Sequence, residues 1–153
     1  MQYAAIIVGA LCAISAVTVA SAGEPDRRSR DSVQIDMLSA DALEQLPYRC
    51  ECEFYREPMS GATTIFATRQ ERTVGLVERN GRLVTLRRDG KPTNPICRKN
   101  ARYRERWVGD STVVDISQRA TGSGAEACWY KGTMTVTVGG RRASEAVIGA
   151  CGC

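Results

Sequence analysis

A chain of 153 residues with 21 Lys and Arg against 17 Asp and Glu carries a formal net charge of +4 and no histidine. The missing histidine excludes Ser-His-Asp and Cys-His nucleophilic sites, His-ligated zinc and the usual pH switch. No Asp/Glu spacing marks a carboxylate pair for acid–base work, so composition points to a binding protein without catalytic activity or cofactor.

The first 22 residues lack any charged side chain, and the run from Tyr3 ends in Ala20-Ser21-Ala22. That A-x-A ending reads as a secretory signal, residues 1–22, cut after Ala22. An uncleaved anchor is the competing reading, because the run is about long enough to span a membrane. Cys12 leaves with the signal. Removing 22 of the 153 residues leaves 131 with six cysteines. That is one domain, able to bury about two thirds of its unfolded surface. An even cysteine count behind a signal fits a periplasmic or secreted protein, without stable membrane insertion after cleavage.

Residues 23–32 are polar with mixed charge and read as a flexible leader; residues 33–153 form a single β domain. Val33, Ile35 and Met37 alternate with polar residues, a short strand. Ser39 is placed to cap a brief helix over Ala40–Leu46, ended by Pro47. Tyr48–Tyr55 alternates with period two and reads as a half-buried strand. Thr63–Thr68 is a further strand. Val74–Glu78 and Leu83–Arg87 flank Asn80-Gly81, the strongest short hairpin signal. That register sets Val77 opposite Val84 and Gly75 opposite Leu86 on the core face.

Ala101, Tyr103, Glu105 and Trp107 alternate with Arg102, Arg104, Arg106 and Val108, and Gly109-Asp110 turns that strand. Val113–Ser117 is a buried strand. Gln118–Ala127, with Gly122 and Gly124, reads as a mobile loop. Cys128-Trp129-Tyr130 leads into a Thr133–Val138 strand. Gly139-Gly140 makes a tight hairpin, and the return strand is Ala143–Ala150. Strands recur every eight to twelve residues with no long helical period. The expected fold is all-β, a small antiparallel barrel or sandwich.

The cysteines form two close pairs, Cys50/Cys52 and Cys151/Cys153, with Cys97 and Cys128 between. Residues two apart on a strand share a face but lie roughly 6.5–7 Å apart, whereas a disulfide needs Cβ atoms about 3.8 Å apart. Cys50 and Cys52 therefore each look elsewhere. Cys151 and Cys153 are the natural partners, in either order, leaving Cys97 for Cys128. Six cysteines allow 15 connectivities, and this is the favoured set. The competing reading, thiolates binding a soft metal, needs reduced cysteines.

Arginine outnumbers lysine 18 to 3, which suits carboxylate or phosphate recognition. Arg102, Arg104 and Arg106 share one face of their strand, with Tyr103 and Trp107 directed the other way. Export argues against nucleic acid as the ligand. A solvated face is the plain reading; an anionic envelope polymer or a protein partner is the functional one.

Tyr48-Arg49-Cys50, the Val77–Leu86 hairpin, Ala101-Arg102-Tyr103, Trp107 and Gly109-Asp110 together resemble the periplasmic C-type lysozyme inhibitors, over roughly residues 48–117. The resemblance implies a small exported β-barrel whose first-strand cysteine bonds one near the C-terminus, here Cys151 or Cys153. Lys99-Asn100 stands where that family has its inhibitory Ser-Gly, and Val108 where it has an inhibitory Lys. The resemblance therefore implies an inhibitor-like protein aimed at another target. The contact residues are Lys99, Asn100, Arg102, Tyr103, Arg104 and Arg106. The alternatives are an envelope structural or polyanion-binding protein using the same basic face, and a thiolate metal protein.

Overall fold

A computed structural model of the chain describes residues 32–45, 51–57, 63–69, 72–91, 97–124 and 126–152. Among them the elements run β1 (Ile35–Asp36), α1 (Ala40–Glu44), β2 (Glu51–Arg56), β3 (Thr64–Arg69), β4 (Val74–Arg79), β5 (Arg82–Asp89), β6 (Arg102–Gly109), β7 (Thr112–Ser123), β8 (Ala127–Val138) and β9 (Arg141–Gly152). From β2 to β9 each strand pairs antiparallel with the next, and β9 returns to pair with β2. The result is a closed, eight-stranded up-and-down barrel rather than a sandwich. Closure removes the free strand edges on which another chain could pair. β1 lies outside the barrel on Glu78 and Arg79 of β4, beyond the point where β3 stops pairing.

An eight-stranded barrel is just wide enough for side chains to fill, and here they do. Trp107, Tyr130, Phe54, Phe66, Leu86, Ile116 and Met134 are fully buried. Phe66 meets Phe54 and Trp107 edge to face, with ring centroids 5.8 and 5.4 Å apart. The rings leave no room for side chains beside them. A Cβ on Gly75 would lie 2.6 Å from Phe66 Cζ, and one on Gly149 would lie 2.7 Å from Phe54 Cε1. The expected Gly75–Leu86 and Val77–Val84 register is observed. A second, smaller core forms where Leu38 and Ala42 cover Ala67 and Leu76. That is why β3 is buried on both faces while β6 alternates cleanly.

Several expectations are corrected. The helix stops at Glu44, and Ser39, though extended at its start, makes no side-chain cap. Its backbone N–H instead donates to Glu78 Oε2 at 3.0 Å. The short strand around Ile35 covers only Ile35–Asp36, and Met37 beyond it is half exposed. Gln118–Ala127 is not a loop: β7 continues to Ser123 and β8 begins at Ala127. Its glycines mislead because Gly122 sits at a bulge, where the β7–β8 register shifts between Ala120 and Gly122, a usual place for glycine within a strand. The turn after β6 uses Asp110 and Ser111, both at positive φ, one residue later than Gly109-Asp110. Asn80-Gly81 and Gly139-Gly140 take positive φ throughout, the type I′ geometry whose twist matches the flanking strands.

Disulfides join Cys52 to Cys151 and Cys97 to Cys128. The first links the opening and closing strands of the barrel where they pair directly. It also gives Cys151 to Cys52. Cys50 and Cys153 lie outside the described residues, as do the signal and leader through residue 31, Leu46 and Pro47, and Tyr48-Arg49. Among the described residues no helix is long and apolar enough to cross a membrane.

Candidate functional site

Two charged constellations stand out, one inside the barrel and one outside. The inner one follows from alternation. Val84, Leu86 and Arg88 share the inward face of β5; Tyr103, Glu105 and Trp107 share that of β6. Arg88 and Trp107 are direct cross-strand partners, and the guanidinium lies 5.5 Å from the indole centroid. Glu105 Oε1 accepts from Arg88 Nη2 at 3.1 Å and from Arg72 Nη2 at 3.0 Å. All three side chains are at least nine-tenths buried. β5 and β6 pair only through Arg87–Asp89 and Arg106–Val108, so this ion triad holds one of the two shortest seams of the barrel, the other being β2–β3.

Tyr130 lies at the same end of the interior, in ring contact with Tyr103 at 5.7 Å. Burial pushes its hydroxyl up to about 12; Tyr103 adds to the rise, Arg72 opposes it and Glu105 adds again. On the outer surface burial also raises Tyr55 to about 12, helped by its 2.5 Å hydrogen bond to Glu53. An unfolded tyrosine releases its proton near 10, whereas these hold theirs until about 12. Their contribution to stability is therefore complete below pH 10 and lost as pH rises from 10 to 12. Urea midpoints should fall across that window, and by less in a Tyr130→Phe, Tyr55→Phe variant. A decline as steep in the variant as in the parent chain would show that other groups cause it.

The outer constellation is set by register. Arg102 on β6 is the direct partner of Arg119 on β7, and Arg119 is the direct partner of Lys131 on β8. Arg104 opposes Ser117, which opposes Thr133, in the next row. All six side chains are exposed. Arg102, Arg104, Ser117, Arg119 and Lys131 border a trough of about 440 Å³, and Thr133 lines the adjoining hollow with Arg104 and Ser117. Lys131 Nζ meets Glu57 Oε1 at 2.7 Å, but among the described residues no carboxylate lies within ion-pair distance of Arg102, Arg104 or Arg119. Like charges placed directly opposite across a sheet are destabilising. The fold holds this row of cations at a cost, where acidic residues would have stabilised it.

The expected contact residues divide accordingly. Arg102 and Arg104 lie in the trough. Lys99 and Asn100 form an exposed turn at its head, where Asn100 Oδ1 accepts from Arg119 Nη1 at 3.5 Å. Arg106 lies at the far end, ion-paired with Asp89 and Asp115, so its charge is offset. Tyr103 turns its ring into the barrel against Tyr130 and is not part of the outer cation row. Arg119, Lys131 and the nearby Trp129 were missed. Arg119 was hidden by the false loop. Trp129 and Lys131 would have emerged from period-two alternation carried back from the Thr133–Val138 strand.

The fold and this trough define a small, disulfide-stapled antiparallel β-barrel that offers a surface rather than a lumen. No protein-family model matches the chain, and no curated protein or solved structure does. Cys52, Cys97, Cys128 and Cys151 are consumed in disulfides, which removes four thiolates from any metal site.

Proposed function

We propose that this is an exported, non-catalytic binding protein that holds an anionic partner on the outer face of β6–β8. The observation that carries this reading is the Arg102–Arg119–Lys131 row, three cations on adjacent strands in direct register. Guanidinium forks bind carboxylate or phosphate with two parallel hydrogen bonds. A row of them suits a ligand with repeated anionic groups. The disulfides and the apolar opening run support a periplasmic or secreted location.

An inhibitor-like action on a protein target is the second reading. It is favoured by the position of Lys99-Asn100, where the lysozyme-inhibitor resemblance puts contact residues, at the head of the same trough. The target would be acidic, since a basic one is repelled by this face.

The test is Arg102→Glu, measured for stability and for retention on a polyglutamate column. The substitution turns a repulsive cross-strand pair into an attractive one, so stability should rise by about 0.2–1 kcal/mol. Retention should weaken at least tenfold, and the salt dependence of the parent's retention should flatten. Stronger folding with unchanged retention would mean that the row is simply a solvated face.

A further inference from the structure

Resting on the anionic-partner reading, we propose a narrower one: the trough is a subsite for an acidic polysaccharide, with Trp129 as the platform for a sugar ring. Trp129 is 47 % exposed. It lies on the same outward face of β8 as Lys131, two residues before it, so the indole and the ammonium stem are roughly 6.5–7 Å apart along the strand. Lys131 begins the cation row, and one or two sugar rings span that distance. Trp107, the second tryptophan of the chain, is fully buried.

The neighbours of Trp129 leave its ring open. Its cross-strand partners are Gly122 on β7 and Ala150 on β9, the two smallest residue types. A Cβ added at Gly122 would meet nothing within 4 Å. Among the described residues Trp129 is the one large aromatic left exposed; the other exposed large apolar side chains are Met37 and Val108. An indole contributes most when its area is buried, and here about half of that area is left to solvent. Beside it the face presents hydroxyls: Ser117 in the trough, Thr133 in the adjoining hollow, and Thr121, whose Oγ1 donates to the Trp129 carbonyl at 3.1 Å.

Each ligand class makes a different demand on such a face. A sugar ring offers a C–H surface for the indole, hydroxyls for Ser117 and Thr133, and, when acidic, a carboxylate for Arg102, Arg104 and Arg119. An acidic polypeptide satisfies the cations but leaves the indole bare. A neutral polysaccharide satisfies the indole and leaves the cations unused. The combination of a half-exposed indole, small flanking residues, hydroxyls and three arginines, Arg102, Arg104 and Arg119, with no carboxylate partner among the described residues fits only the acidic polysaccharide in full.

The experiment titrates the full chain with polygalacturonate, with polyglutamate and with dextran at one ionic strength, following tryptophan emission and affinity. Because Trp107 is sealed in the core, the emission change reports on Trp129. Polygalacturonate should change that emission and bind at least tenfold more tightly than polyglutamate. Dextran should bind too weakly to measure. Trp129→Ala should lose about tenfold towards polygalacturonate and nothing towards polyglutamate, with an unchanged unfolding temperature. If Trp129→Ala binds polygalacturonate as well as the parent does, the subsite is wrong, while loss of both acidic polymers on Arg102→Glu would leave the anionic face standing. If Arg102→Glu changes neither polymer, both readings fall together.

Discussion

Replacing Glu105 by alanine should cost about 3–5 kcal/mol, the usual result of removing one partner from a buried ion pair. The cause is not the lost attraction alone. Arg72 and Arg88 would be left as two buried guanidiniums whose common acceptor, Glu105 Oε1, is gone. A guanidinium cannot shed its charge within a protein, so the desolvation cost remains. Glu105→Gln keeps the shape and one oxygen but not the charge, and should fall between alanine and the parent chain. Replacing all three residues by apolar ones of similar volume should restore most of the loss, because the desolvation of three charges disappears with them. Urea unfolding followed by tryptophan fluorescence measures each step, since Trp107 stacks against Arg88. A Glu105→Ala chain within 1 kcal/mol of the parent would mean that the triad is solvated and does not hold the β5–β6 seam.

The second large effect is expected from the joint Cys52→Ala, Cys151→Ala variant. The two cysteines are 99 residues apart in sequence. In the chain-entropy model a loop of that size restricts the unfolded chain by about 4.7 kcal/mol, against roughly 3.7 for the 31-residue separation of Cys97 and Cys128. Opening the Cys52–Cys151 bond should therefore lower the denaturant midpoint further than opening the Cys97–Cys128 bond. Both partners must be replaced. Cys151 is the direct cross-strand partner of Cys128 as well as of Cys52, so a lone Cys151 thiol would face the second disulfide and could exchange with it. A smaller loss from the longer loop than from the shorter would show that strand pairing already restricts the chain ends before the bond forms.

The outline of this protein was legible because β-structure writes its period into the sequence. Alternation located the strand carrying Tyr103, Glu105 and Trp107 and assigned its faces correctly, and Asn80-Gly81 set the β4–β5 register. The argument that Cys50 and Cys52 cannot bond each other, applied to an all-β chain, led to a link between its two ends. The Cys52–Cys151 bond is such a link. Alternation also contained more than was drawn from it. Glu105 lay between Tyr103 and Trp107 on the inward face, and Arg88 followed Val84 and Leu86 on another. Opposite charges on two core faces were already a sign of a buried ion pair.

What the chain by itself determined was the local pattern: strands, tight turns, inward and outward faces, and the types of side chain on each. Those depend on neighbours one to four residues away, where sterics and burial act directly. The tertiary structure alone decided closure, partners and rows. Whether the strands shut into a barrel depends on β9 meeting β2, a pairing across nearly the whole domain. Arg72 reaches Glu105 from a turn with no pattern of its own. The cation row exists because the registers of two hairpins, together with one bulge at Ala120–Gly122, bring Arg102, Arg119 and Lys131 abreast. A slip of one residue would turn those side chains to the other face. Register is a property of paired strands, and no single strand carries it.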